Sequence, residues 1–228
     1  MRYYNIKGEF KALQKEYPCL ELKYGDDFYV IEGFIGFSTV ISDKKIEDEY
    51  KIKLHIPKNY PKNMISAYEA GGRISPSPDN HRNSDGTLCT GLPVEVARIL
   101  APNYRLIDYV EKILIGYLAQ YSYFEKFKHW PFGEAAHGTE GIVEYYKERY
   151  NLPDTKSVLD FLKMLQSCIQ NRQKGYERCR CGCGRLYKNC KRQRKILKYG
   201  QKSYDYLSDI KAIEDWLKSA ATPSYPSC

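Results

Sequence analysis

Ile6, Phe10, Leu13 and Tyr17 recur three and four positions apart, the spacing of one helix face over 2–17, and Pro18 closes that segment. The alternating stretch Leu20 to Lys23 and a Gly25-Asp26-Asp27 turn follow, then a β-rich run from Phe28 to Phe37. Glu49 to Ile56 alternates polar and apolar residues, the period of a strand with one buried face. Beyond Ile56 the pattern breaks. Pro57, Pro61, Pro76, Pro78 and Pro93, with Gly71, Gly72, Gly86 and Gly91, leave room for one short strand at most. Helical spacing resumes at Tyr104 and runs to about Phe127, with Leu106, Tyr109, Val110, Ile113, Leu114, Tyr117 and Leu118 on one broad face. Residues 129–141 read as turn-rich. Further helices are predicted over 141–150, over 156–171 from a cap at Asp154 or Thr155, and over 204–219. A helix, an antiparallel meander and then helices make an α+β chain.

Composition changes this picture in one place. Across 228 residues, 43% hydrophobic and 28% charged content suits a folded globular chain rather than a disordered one. No stretch has the roughly 18 consecutive apolar residues of a membrane span, and the charged N-terminus has no apolar leader region. The expectation is a cytoplasmic protein that does not engage a membrane. The net charge of +8 is concentrated: twelve cations and one acid lie between Arg172 and Lys202, leaving the rest slightly acidic. Of the eight cysteines, Cys179, Cys181, Cys183 and Cys190 crowd together, while Cys19, Cys89, Cys168 and Cys228 stand alone. In a reducing compartment such cysteines are metal ligands, reactive thiols or core residues rather than disulfides. The composition shift places a domain boundary near 171, giving 1–170 and 171–228.

The long irregular segment is where function is expected, because long ordered loops rarely persist without one. It carries Tyr60-Pro61, then His81-Arg82-Asn83, then Asp85-Gly86-Thr87-Leu88-Cys89. This ordered set is similar to the ubiquitin-conjugating enzymes, in which a Tyr-Pro pair leads into the last strand, a His-Pro-Asn motif follows and the reactive cysteine comes soon after. The order of elements over about 1–130 is similar too. Arg82 stands where the family has proline, and eight positions separate His81 from Cys89, where the family commonly has ten. The pattern resembles most the divergent bacterial branch, whose members accompany ubiquitin-like conjugation or anti-phage nucleotidyltransferase systems. The stretch Gly133-Glu134, His137-Gly138 and Glu144-Tyr145-Tyr146 is similar to that branch as well.

The resemblance implies a UBC-like fold: an N-terminal helix, a four-stranded antiparallel meander, an active-site loop and C-terminal helices. It implies Cys89 as the thiol that takes an acyl group from an upstream thioester and yields it to an amine. Asn83 is either the amide that stabilises the oxyanion or the closing residue of a turn. His81 either braces the loop or acts as a base. Asp85 orients or deprotonates the incoming lysine or simply makes an Asp-Gly turn, and His137 is a second candidate base. The family implies an activating enzyme supplied by another protein, and a ubiquitin-like protein or a cGAS-like nucleotidyltransferase as cargo. The alternative is an inactive adaptor of the same fold that binds a protein partner or nucleic acid through the basic cysteine-rich tail.

Cys179-Arg-Cys181-Gly-Cys183-Gly-Arg-Leu-Tyr187-Lys188-Asn-Cys190-Lys191 resembles the SEC-C zinc module. Four thiolates hold Zn²⁺ tetrahedrally, and a short basic segment with little apolar content needs such a staple to fold. Lys191 stands where the family has its fourth ligand, and Cys183 where it has serine. Either Cys183 replaces the lost ligand, completing Cys179, Cys181 and Cys190, or Cys168 or Cys228 does. The surrounding charge fits a solvated face, an acidic protein partner or nucleic acid.

Overall fold

In the computed structural model, which describes residues 4–101, 103–132, 138–170, 174–179, 183–190 and 204–221, the Asn5 side chain accepts from the Gly8 N–H and starts helix α1 (Ile6–Glu16). Ile6 and Leu13 are its buried positions. Strands β1 (Leu20–Tyr24), β2 (Phe28–Ile41), β3 (Lys44–Pro57) and β4 (Ser66–Glu69) form one antiparallel sheet in chain order. The β2–β3 hairpin dominates it. Its register runs from Phe28 opposite Pro57 to Ile41 opposite Lys44. Ser42 and Asp43 both have positive φ, the two-residue turn whose twist matches the strands. Ile31, Ile35 and Ile41 of β2 face Ile46, Tyr50, Ile52, Leu54 and Ile56 of β3 into the core. Gly33 is obligatory where β1 crosses: its φ is +145°, and a Cβ there would sit 2.0 Å from the Cys19 carbonyl oxygen.

Helix α2 (Pro93–Leu100) follows the irregular segment and buries Val94, Val96, Ala97 and Leu100. Helix α3 is continuous in three pieces: Leu106–Tyr109, a π turn at Val110–Leu114, and Ile115–Phe127. Its first turn is tied to α1 by Glu9, whose carboxylate accepts from the Leu106 N–H at 3.0 Å and places negative charge at the helix N-terminus. Leu106, Val110, Leu114, Tyr117 and Leu118 fill the core against the sheet. A polar clamp joins α3 to β3. The Tyr50 hydroxyl and the Asp48 carboxylate both bond Ser122 Oγ at 2.8 Å, and Arg73 binds Asp48 through two nitrogens at 2.7 Å and Glu125 at 2.9 Å.

The chain divides into two compact units, Met1–Glu134 and Ala135–Cys228. Compactness thus puts the helices of 138–170 in the second unit, ahead of the composition shift at 171. That unit contains α4 (Gly138–Tyr150), α5 (Thr155–Gln170) and α6 (Leu207–Ala221), each packed on the other two. Asp154 caps α5 by accepting from the Ser157 N–H at 2.7 Å. Val143, Tyr146, Val158, Leu162, Leu165, Ile210 and Ile213 are buried there. Among the described residues no helix is long and apolar enough to cross a membrane. The model is therefore α+β with a four-stranded antiparallel sheet, and it carries a cysteine cluster near the C-terminus.

Asp209 is buried in this second core, where its carboxylate accepts from the Tyr146 and Tyr204 hydroxyls at 2.7 and 2.8 Å. Burial pushes its pKa up, and the two hydrogen bonds offset this only in part. Between its ordinary value near 3.8 and the raised folded value, the folded state binds the proton more tightly than the unfolded one. The second unit therefore gains stability as pH falls through that window and loses it as pH rises. Hydrogen exchange of peptides spanning α6 is expected to slow, relative to Asp209→Asn, as pH is lowered toward the ordinary carboxylate value near 3.8, after correction for intrinsic rates.

Candidate functional site

The segment after β4 closes on itself as a short hairpin that ends at Cys89. A 3₁₀ turn at Pro78–Asn80, capped by the Ser77 side chain, ends in His81, whose φ of +50° reverses the chain. Arg82 then pairs with Leu88, and the Cys89 N–H donates to the His81 carbonyl at 2.7 Å, making His81 and Cys89 cross-strand neighbours. The outgoing arm docks on the sheet edge: Tyr68 bridges to Thr87, and the Leu88 N–H donates to the Ala67 carbonyl at 2.8 Å. Strand alternation does the rest. Leu88 turns inward and is buried, so Cys89, the next residue, is exposed.

The tip of the hairpin is an internal hydrogen-bond circuit. Asn83 N–H donates to the Thr87 carbonyl at 2.8 Å, and Asn83 Nδ2 donates to Thr87 Oγ1 at 2.8 Å. Thr87 in turn donates its N–H and its hydroxyl to Asp85 Oδ1, at 2.9 and 2.6 Å. These bonds to Thr87 hold the Asp85 carboxyl below the usual carboxylate range. Asp85 is thus a fixed negative charge and a weak base. Gly86, at φ +84°, completes the turn.

Three anchors fix the hairpin from below. Glu69, on the inward face of β4 beside Ala67, is 3% exposed. Its carboxylate accepts from the Gly71 N–H at 2.6 Å and the Ile74 N–H at 3.2 Å, with Arg82 Nη1 at 4.0 Å. Arg82 Nη1 also donates to the Ile74 carbonyl. Tyr117 of α3 donates its hydroxyl to the Asn80 carbonyl at 2.6 Å. Burial above all, with Tyr121, Tyr50 and the Cys89 thiolate charge adding to it, pushes the Tyr117 pKa far up, so the phenol stays a donor and lies within electrostatic range of Cys89. The third anchor is aromatic: His81 packs edge-on to Trp130 at 4.7 Å, and Trp130 stacks on Phe124 at 5.0 Å.

The cysteine cluster is built the same way, from a hairpin. Arg178 pairs with Leu186, and the Cys179 N–H donates to the Arg185 carbonyl at 2.8 Å. The Tyr187 N–H returns to the Glu177 carbonyl at 2.9 Å, and a 3₁₀ turn at Tyr187–Asn189 swings Cys190 back. The sulfurs of Cys179, Cys183 and Cys190 all lie within 4.8 Å of one another, Cys183 and Cys190 at 3.6 Å. Four thiolates around one tetrahedral ion with bonds of about 2.3 Å lie roughly 3.8 Å apart. The three cysteines therefore fit a metal ion. Cys183 belongs to this group and Cys168 does not. Cys181, Cys228 and the candidate base His137 lie outside the described residues.

The structure thus brings Cys89, His81, Asn83 and Asp85 onto one nine-residue hairpin. Glu69, Thr87 and Tyr117 complete it and were not singled out from sequence; Arg82 stood out only as a departure from a motif. Glu69 left a signal, an acid two residues after Ala67 on the buried face of a strand. Comparison with protein-family models, with curated proteins and with solved structures found no match.

Arg82→Ala removes the cation paired with the Glu69 carboxylate and the donor to the Ile74 carbonyl, and is expected to cost about 2–4 kcal/mol of unfolding free energy. Glu69→Gln combined with Arg82→Met removes both charges and is expected to recover at least about 1 kcal/mol of that loss. Urea denaturation of wild type and both variants measures each difference.

Proposed function

We propose that the N-terminal unit is a ubiquitin-conjugating-like acyl carrier with Cys89 as its thiol. The observation that carries this reading is an exposed cysteine at the end of a rigid hairpin, in the motif order that resembles that family. A thiolate needs access to a bulky donor, and an exposed position on the sheet edge supplies it. The Cys89 thiolate attacks the carbonyl carbon of a donor thioester. A C–S bond forms to Cys89 as the donor's C–S bond breaks, and the donor leaves as a thiolate. Thioester exchange of this kind is nearly balanced in energy.

In the second step a lysine amine attacks the Cys89 thioester. The carbonyl oxygen becomes an oxyanion, the amine loses a proton to a base, and the C–S bond breaks to release the Cys89 thiolate with an amide in place. Asn83 is the side-chain amide that the motif places on the same hairpin as Cys89. One of its N–H bonds is used on Thr87, and the second remains to meet the oxyanion. Asp85, held as a carboxylate, attracts the ammonium form of the incoming lysine rather than deprotonating it. His81, packed on Trp130, braces the loop. An activating enzyme and a ubiquitin-like protein or a cGAS-like nucleotidyltransferase are the partners this reading calls for. Expression of the chain with its activating partner should give a Cys89 adduct of protein mass on non-reducing intact mass spectrometry. Dithiothreitol releases it, and Cys89→Ser either abolishes it or replaces it with a thiol-resistant ester. Absence of any adduct with an active partner present contradicts the reading.

The satisfaction of Asn83 and Asp85 inside the turn favours a second reading, an adaptor of the same fold. For an adaptor, Cys89→Ser leaves partner binding unchanged and no thiol-sensitive adduct forms.

In the second unit the metal is zinc, whose preference for tetrahedral thiolate sets matches the donors present, and Cys181 completes Cys179, Cys183 and Cys190. The role is structural: the ion staples a hairpin that has little apolar surface to bury. Elemental analysis of the purified chain is expected to give one zinc per molecule. Cys179→Ser, Cys181→Ser and Cys190→Ser each lose it, whereas Cys168→Ser keeps it.

A further inference from the structure

The cysteine hairpin also presents a surface that the metal does not use. Along its incoming arm, exposure alternates: Lys174, Tyr176 and Arg178 point outward, while Gly175 and Glu177 are half-buried and Cys179 is buried. On the returning arm Arg185, Leu186 and Lys188 are exposed. The arms lie side by side, since Arg178 pairs with Leu186 and the Lys188 N–H donates to the Gly175 carbonyl at 3.1 Å. Lys174 and Arg178 therefore share the outward face of the incoming arm with Tyr176, and the returning arm adds Arg185 and Lys188 to the same hairpin. Tyr176 is 68% exposed, and Lys174 Nζ sits 5.9 Å from its centroid.

We propose that this hairpin binds single-stranded nucleic acid, with Tyr176 stacking on a base and Lys174, Arg178, Arg185 and Lys188 holding phosphates. An acidic protein partner explains the charge but not the ring. Protein interfaces are depleted in lysine, whereas here Lys174 sits beside the exposed ring. Nucleic acid supplies both complements, a phosphate for each cation and a π-face for the ring. The choice of single strand follows from the ring, because a surface aromatic stacks only on an unpaired base. The site is independent of the chemistry at Cys89.

Fluorescence anisotropy of the full chain with a labelled 20-nucleotide oligo-uridine tests it. Four phosphate contacts on a single strand predict a salt slope of about −2.8, an affinity loss of roughly 50-fold between 50 and 200 mM salt. Tyr176→Ala is expected to weaken binding at least about fivefold, while Tyr176→Phe retains it. Arg185→Gln is expected to reduce the slope by about 0.7. Both side chains are exposed, so circular dichroism and metal content of the three variants should match wild type. No binding at 50 mM salt, equal affinity for a duplex of the same length, or a smaller effect of Tyr176→Ala overturns the proposal. Tighter binding to a poly-glutamate peptide than to the oligonucleotide overturns it in favour of an acidic protein.

Discussion

A carboxylate placed on the buried face of a strand needs donors and a counter-charge, and Glu69 finds them in two other segments of the chain. The Gly71 and Ile74 amides and the Arg82 guanidinium all turn toward it. Without those donors the desolvation of a buried anion would run to several kcal/mol. With them, the end of β4, the crossover at 70–76 and the Cys89 hairpin become one piece. The geometry of Cys89 follows from this arrangement. The hairpin docks on β4 through Leu88, Leu88 is buried, and the next side chain faces solvent. Arg82 makes this possible where a proline, having no side-chain donor, would not.

The same economy of construction appears at the other end of the chain. Two short hairpins, each too small to bury a core, are made rigid by different means. The first leans on the sheet, on α3 through Tyr117 and on Trp130 through His81. The second gathers three thiols that fit an ion. Rigid hairpins suit the roles proposed for both: a thiol that must be accessible without moving, and a ring and cations whose spacing matches a flexible ligand. In the second unit, α4 to α6 form a core of their own around Tyr146 and Asp209.

Much of the scaffold was legible because it follows hydrophobic period. The first helix, the β2–β3 strands, the long helix to Phe127 and the helix capped at Asp154 all lie where their spacing predicts. The strands extend further than expected, to Ile41 and from Lys44, because Ser42-Asp43 makes a tight turn without glycine. Helix α2 was hidden: it begins at Pro93, which reads as one more breaker but is also a good first helical residue. Cys89 and the motif residues were legible as a set. Their mutual arrangement was not, since it depends on Glu69 and Tyr117, which are distant in sequence and carry no motif. Cys183 as a member of the thiol cluster was among the sequence alternatives, and the geometry selects it.

The central claim is that the Glu69–Arg82 anchor presents Cys89 for acyl exchange. Its most direct test needs no activating partner: incubation of the full chain with a fluorescent small-molecule thioester, followed by peptide mapping of the labelled thiol. The account predicts label on Cys89, removable by dithiothreitol, forming at least about tenfold more slowly in Arg82→Ala. Equal labelling of Cys19, which is also exposed, or an unchanged Cys89 rate in Arg82→Ala, would contradict it.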